Sequence, residues 1–488
     1  MVKLTVRNIL QILFVEISLL LLILTAISAF SPNIVKSIPG YPGDLPFYLE
    51  TGYVGVGKDE EVKLFYYFIK SERDPERDPL MLWLTGGPGC SAFSGLVIEI
   101  GPLIFNNSAC DWHSKSPTFQ LNPSSWTKVA SIIFLDSPVG TGFSYATNPE
   151  GYYSDDITSS RHIYQFLTKW LADHAGFHNH PLYIAGDSYC GRIVPVVVQE
   201  IFQGNKVGFQ PFMNLQGYIL GNPLTWKEDE MKSHSQLNYA HRVSLLSDEL
   251  YESTITSCNG AYQDVDMDNI NCTLNLQAIS YNLDPLFDAH VLKPKCISDK
   301  TWCQESIYGL LYNWANDIQV QAALHIQEVY EQQVGDFLSK ILMGTKRYWI
   351  RCNKTLAYEY NVESTVGYHQ NLTQEFIHVL IYSRDEEEHV KHLERVLKLL
   401  EHCQCGDQDM KISYVGTLGW IKMLNISISE DWRPWFVNDQ VAGYTTRFAN
   451  DRYNLTFATV KGAGHTAPEY KRAECFNMLM KWLESRPL

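Results

Sequence analysis

The sequence predicts an α/β fold, a sheet of short apolar strands with helices between them and functional loops gathered along one edge. Three observations carry that prediction. Short apolar runs recur along the chain and close into glycine-rich turns. Segments of helical period separate them. The composition, 45% hydrophobic with 19% charged residues over 488 positions, supplies a large core and excludes a coiled coil or long disordered tails.

The elements follow in order. Residues 62–68, Val-Lys-Leu-Phe-Tyr-Tyr-Phe, read as a strand, and Leu80–Leu84 is a second that ends in glycines. Ser131–Leu135 is a third, entering Asp136-Ser137-Pro138-Val139-Gly140. A helix over 157–171 places Ile163, Phe166, Leu167 and Trp170 on one face. Residues 183–185 make a fourth strand, again closed by glycine. Such strand–turn–helix units imply a sheet with its loops at one edge. From about 226 to about 314, polar helical segments and Cys258, Cys272, Cys296 and Cys303 replace the strand signals, predicting a helical cap inserted over that edge. Strands return at 379–382 and 455–460, and 475–483 forms a closing amphipathic helix. No internal repeat is visible.

Charge and address narrow the function. Lys and Arg number 39 against 54 Asp and Glu, a formal charge of −15, which excludes electrostatic binding to nucleic acid. Lys3 and Arg7, an apolar run over 17–24, and small residues Ala26 and Ser28 read as a signal peptide over 1–28, leaving 29–488 as the mature chain with no membrane span. A signal anchor is the alternative, although Glu16 interrupts the apolar run. Six N-x-S/T sequons, at Asn106, Asn271, Asn353, Asn371, Asn425 and Asn454, agree with passage through the secretory pathway. Disulfides persist there, and the eleven cysteines leave at least one thiol unpaired within the chain.

The chemistry concentrates in glycine-rich turns. Gly186-Asp187-Ser188-Tyr189-Cys190-Gly191 follows a strand and precedes a helical run, the setting of a nucleophilic serine elbow, with Cys190 where the strict pattern has glycine. A serine N-cap on an ordinary helix is the competing reading. Gly86-Gly87-Pro88-Gly89-Cys90 offers backbone N–H groups suited to an oxyanion, although turns use Gly-Pro-Gly for conformational reasons too. His465 lies in Gly462-Ala463-Gly464-His465-Thr466-Ala467-Pro468, between a strand and a helix. An acid between the serine and the histidine completes the order Ser…Asp…His. Asp407 and Asp409 are the candidates, Asp409 holding the usual G-x-x-D place, while Asp431 and Asp439 read as loop or cap residues.

These motifs together, with residues 82–91 and the run 134–145 (Phe-Leu-Asp-Ser-Pro-Val-Gly-Thr-Gly-Phe-Ser-Tyr), resemble the serine carboxypeptidase-like family over nearly the whole mature chain. The resemblance implies an α/β-hydrolase fold with a helical cap. It also implies a catalytic triad of Ser188, Asp409 and His465, oxyanion donors at the Gly87 and Tyr189 N–H groups, and no metal or cofactor. The family's disulfide pattern implies pairs Cys90–Cys352, Cys258–Cys272 and Cys296–Cys303. Within the family the chain is similar to the plant acyltransferase branch, of the sinapoylglucose type. Carboxypeptidases typically carry Asn where this chain has Thr85 and Glu where it has Asp187, side chains that recognise a peptide's terminal carboxylate, whereas Glu99 matches the peptidase pattern. Residues 431–436 and 440–444 also resemble the acyltransferase branch. The implied partners are an acyl glucose ester and an acceptor alcohol, or a peptide C-terminus for a carboxypeptidase. The implied destination is secreted or vacuolar.

One stretch departs from the family. Residues 384–405 are charged and helical in period, standing between the strand 379–383 and the Gly406-Asp407-Gln408-Asp409 loop. They resemble a reverse-transcriptase segment of retrotransposons, and a spliced-in exon is the expected origin, a lineage-specific loop the alternative. The interruption would weaken the acid loop and leave a catalytically impaired chain, so its removal is expected to raise activity. A further irregularity lengthens the chain over 328–343.

Overall fold

The computed structural model describes residues 32–106, 117–226, 235–262, 265–266, 268–295, 306–327, 348–384 and 409–488. The expected signal segment, Cys296, Cys303, Asp407 and all of 384–405 except Arg384 lie outside the described residues.

A twelve-stranded mixed sheet runs through the molecule. Its strands are β1 (Asn33–Ile34), β2 (Leu49–Val56), β3 (Val62–Ile69), β4 (Leu80–Leu84), β7 (Ser131–Leu135), β8 (Tyr145–Ala146), β10 (Leu182–Asp187), β11 (Leu215–Gly221), β13 (Ile377–Arg384), β14 (Ile428–Val437), β15 (Gln440–Ala449) and β16 (Tyr453–Val460). Two small ribbons, β5 (Leu103–Phe105) with β6 (Phe119–Leu121) and β9 (Ser154–Asp155) with β12 (Tyr358–Glu359), complete the set. The order across the sheet is β1-β2-β3-β7-β4-β10-β11-β13-β16-β15-β14, with β8 paired to β3. The block from β7 to β16 is parallel, and both flanks are antiparallel.

Apolar alternation explains why the centre is covered on both sides. Along β4, Leu80, Leu82 and Leu84 face one core while Met81 and Trp83 face the other. The first core is closed by the helices Asp156–Asp173 and Cys190–Lys206, through Ile163, Phe166, Trp170, Val194, Val197 and Ile201. The second is closed by Phe93, Trp314 and the C-terminal helix Arg472–Leu483 through Met478 and Leu479.

Between β11 and β12 the described residues form helices and no strand: Gln236–Arg242, Asp248–Cys258, Ile270–Leu283, Ser306–Ala315 and Ile318–Ala323. The first three enclose a small core of their own around Leu237, Ala240, Leu246 and Ile279, and the Cys258–Cys272 disulfide ties two of them together. The helix Ser306–Ala315, inside the span expected for the cap, instead packs into the second core, with Trp314 stacked on Phe93 at 4.9 Å. No helix of the described residues is long and apolar enough to cross a membrane.

Parallel strands all end at the same edge, so the loops after β4, β7, β10, β11, β13 and β16 meet there, which is where open α/β sheets bind ligands. Those loops carry Gly86 and Gly87, Asp136, Ser188, Asn222, Asp409 and His465.

Candidate active site

Ser188 stands between β10 and the helix Cys190–Lys206 with φ of +56°, a left-handed conformation that a non-glycine residue rarely adopts. The turn is held by its own backbone: Ser188 N–H donates to the Gly221 carbonyl at 2.8 Å, and Ser188 O accepts from Gly191 and Leu224 N–H. This geometry turns the hydroxyl out of the sheet edge, where its Oγ lies 2.8 Å from His465 Nε2. The other ring nitrogen, Nδ1, is 3.1 Å from Asp409 Oδ2. A carboxylate facing Nδ1 keeps the proton there and leaves Nε2 free to accept the serine proton.

Asp409 is fully buried and still accepts several hydrogen bonds, from Lys411 N at 2.7 Å, Ile412 N at 3.2 Å and Asn222 Nδ2 at 2.8 Å. Asp431 and Asp439 are exposed, on β14 and in the turn that follows it. Two consecutive carbonyls from the region after the helix Ile270–Leu283 also reach these loops. Asp288 O accepts from Met410 N, and Ala289 O accepts from His465 N, both at 2.8 Å.

The glycine loop after β4 packs directly on the serine turn. A β-carbon on Gly86 would sit 2.8 Å from Ser188 Cβ and 2.9 Å from Tyr189 N, so only glycine permits the approach. Gly87, at φ +126°, also needs glycine's freedom. The Cys90–Cys352 disulfide anchors the far end of the loop. Buried Asp136 anchors the next residues, accepting Ser91 Oγ at 2.7 Å and Ala92 N at 2.9 Å, while its second oxygen accepts Phe143 N. The glycine loop that carries Gly87 therefore lies against the Ser188–Tyr189 turn, and backbone N–H groups from such a loop and turn can stabilise an oxyanion formed by attack on a carbonyl.

Beside the serine lies a buried acidic cluster of Glu99, Asp187 and Glu469, with Thr85 at 8% exposure. Burial pushes the Glu99 carboxyl well above the usual range, and the neighbouring Asp187 and Glu469 charges push it further. Burial raises Asp187 too, against the pull of His465 and the Gly86 N–H. Asp187 Oδ1 accepts that N–H at 3.1 Å, which turns the side chain toward the glycine loop. Thr85 Oγ1 and both Glu99 oxygens have no hydrogen-bond partner among the described residues. The guanidinium of Arg351, stacked on the Tyr308 ring at 3.8 Å, opposes both carboxyl shifts.

The structure thus brings Ser188, His465, Asp409, Gly87, Tyr189, Thr85, Glu99 and Asp187 to one sheet edge. Both disulfides that fall on described residues are formed, while Cys190 and Cys475 are buried thiols. Of the sequon residues, Asn271, Asn371 and Asn425 are exposed. Asn106, Asn353 and Asn454 are half-buried; Asn353 Nδ2 donates to Gly140 O, and Asn454, within β16, accepts from Arg447 Nε. Asn222 and Asp156 carry no motif in the sequence, and Asp136 stands in one without a role of its own. The signal for Asn222 was available, since it directly follows the run Leu215–Gly221, an unrecognised strand whose C-terminal end meets the site.

Comparison with known proteins agrees with this geometry. The serine carboxypeptidase family profile matches residues 39–397 and 394–485. Serine carboxypeptidase-like 7 of Arabidopsis thaliana is 43% identical over 458 residues, covering 94% of each chain. Serine carboxypeptidase-like 10 of the same plant is 42% identical over 477 residues, covering 96% of this chain and 98% of its own. Among solved structures, a prohormone-processing carboxypeptidase from Saccharomyces cerevisiae superposes with a TM-score of 0.68 at 19% identity, over 93% of this chain and 95% of the yeast chain. The fold is that of the α/β-hydrolases, and the chain belongs to the serine carboxypeptidase family.

Proposed function

We propose that this chain is a serine acyltransferase that moves an acyl group from a glucose ester to an acceptor hydroxyl through an acyl-Ser188 intermediate. His465 removes the Ser188 proton and Ser188 Oγ attacks the ester carbonyl. The Gly87 and Tyr189 N–H groups hold the oxyanion, and Asp409 fixes the imidazole tautomer. Glucose leaves with the proton from His465, and the acceptor hydroxyl, deprotonated by the same ring, attacks the acyl-enzyme. None of these steps needs a metal or cofactor.

The observation that carries the transferase reading is the state of the acidic cluster. Thr85 offers a hydroxyl in place of an amide, and Asp187 spends an oxygen on Gly86 N–H. Recognition of a peptide carboxylate is weakened on both counts. The unpartnered Thr85 hydroxyl and Glu99 oxygens suit a polyhydroxy leaving group at least as well as a carboxylate. The upward shift of Glu99 favours the second reading, a serine carboxypeptidase, because a carboxyl that holds its proton more readily can donate to a peptide's terminal carboxylate. A catalytically impaired chain is the weakest reading, since Asp409 reaches His465 at 3.1 Å.

Passage through the secretory pathway is supported by the two disulfides and by the exposed sequons Asn271, Asn371 and Asn425. The deciding experiment incubates the purified protein with a panel of acyl glucose esters and, separately, a blocked dipeptide, followed by intact-mass analysis. An acyl adduct on Ser188 that an added alcohol discharges is expected, and Ser188→Ala should lose about a millionfold in turnover while folding normally. Faster cleavage of the dipeptide than of any glucose ester would replace the transferase reading with the peptidase one.

A further inference from the structure

Asp156 is fully buried at the first turn of the helix Asp156–Asp173, outside every motif that the chemistry above uses. Its Oδ1 accepts two phenols, Tyr189 OH at 2.6 Å and Tyr358 OH at 2.8 Å, and its Oδ2 accepts Val362 N at 2.8 Å. Each buried oxygen thus has at least one donor, as burial of a polar group requires. Burial, then the Asp156 charge, holds both phenols protonated well above their usual range, so both donate.

The geometry around these bonds gives them a purpose. Tyr189 is the residue after the serine, and its backbone N–H is one of the two oxyanion donors. Tyr358 and Val362 belong to the chain that leaves Cys352, the half-cystine bonded to Cys90 at the end of the loop carrying the other donor, Gly87. β12, which contains Tyr358, pairs with β9 immediately before Asp156. A small cavity lies against Tyr189, lined also by Gly86, Pro88, Cys190 and Tyr358, so packing alone does not fill the space between the Tyr189 and Tyr358 side of the site and the glycine loop. We propose that Asp156 is a positioning residue that ties Tyr189, through its phenol, to the Cys352–Val362 chain and so fixes the distance between the two halves of the oxyanion hole. This rests on the roles given above to Ser188, Gly87 and Tyr189.

The test follows phosphonylation of Ser188 by an alkyl fluorophosphonate, read by intact mass. Ser188 Oγ bonds phosphorus, His465 takes the hydroxyl proton, fluoride leaves with the P–F electrons, and the phosphoryl oxygen occupies the oxyanion site. Tyr189→Phe removes only the tethering hydroxyl and should be labelled about tenfold more slowly than the parent, with an unchanged melting temperature. Asp156→Ala should be slowed about a hundredfold, within the cost of losing one oxyanion donor. In the Tyr189→Phe background, the same Asp156→Ala change should slow labelling by only about tenfold, since both act through one contact. Equal factors in the two backgrounds, or a Tyr189→Phe protein labelled at the parental rate, would overturn the proposal while leaving the triad reading intact. A parent protein that resists labelling altogether would overturn both.

Discussion

Ser188 and Asp409 reach the same histidine through two kinds of construction. Ser188 is held by continuity: a buried strand enters it, a buried helix leaves it, and its own N–H and carbonyl are tied to Gly221, Gly191 and Leu224. Asp409 is held by neighbours. Lys411 and Ile412 lie just beyond it, Asn222 comes from the loop after β11, and Asp288 grips the adjacent Met410. The strand that in family logic should deliver the acid, β13, ends at Arg384, twenty-five positions earlier. A side chain fixed by its own backbone turn tolerates no change in that turn. One fixed by hydrogen bonds from several segments can keep its place when the chain leading to it is lengthened.

That contrast can be broken most strongly at the acid itself. Asp409→Asn leaves the shape but presents an amide to Nδ1, favouring the wrong tautomer, and kcat with the best ester should fall about 10⁴-fold at unchanged KM. Asn222→Ala should be milder. It removes one charge-assisted bond to Asp409 Oδ2 and leaves those from Lys411 and Ile412, so kcat should drop about 10- to 100-fold. An unchanged kcat would mean that the downstream amides alone hold the acid.

Deleting 385–405 sharpens the comparison from the other side. The sequence on its own suggests that removal restores a damaged acid loop. The contacts of Asp409 argue otherwise, because they come from beyond the interruption and from other segments, and long connections close at small entropic cost. The deletion variant should therefore match the parent kcat within about threefold, and a hundredfold gain would show that strand continuity matters after all.

The smallest effect concerns pH and the acidic cluster next to Ser188. The folded state keeps Glu99 protonated above the ordinary value of 4.5, so it binds a proton that the unfolded chain releases. Stability is then lost as pH rises from that value toward the raised one. Glu99→Gln removes this term, and its melting temperature should gain steadily on the parent as pH rises above 4.5. A constant difference across that range would mean that Glu99 is ionised in the folded protein.

What could be read from sequence follows from how each element is buried. β4 and β7 are covered on both faces, so their sequences are unbroken apolar runs and their limits were evident. The hairpin β14–β15 was not, because β14 is an edge strand carrying Glu430, Asp431, Arg433 and Pro434, residues that only an edge accommodates. β11 was missed too, its glycines hiding a strand buried at the sheet centre. At the site, the glycine-rich turns announced Ser188, Gly87 and His465. Local sequence could not announce partners from distant loops, such as Asn222 for Asp409 or Asp156 for Tyr189, since nothing in a short window encodes a contact across 187 or 33 positions.

The paired carbonyls of Asp288 and Ala289 carry a different lesson. One short piece of backbone, belonging to the helical region above the sheet, fastens the acid loop and the histidine loop at once. A single change that displaces residues 288–289 would therefore withdraw support from the Asp409 loop and the His465 loop together, although neither loop is its neighbour in sequence.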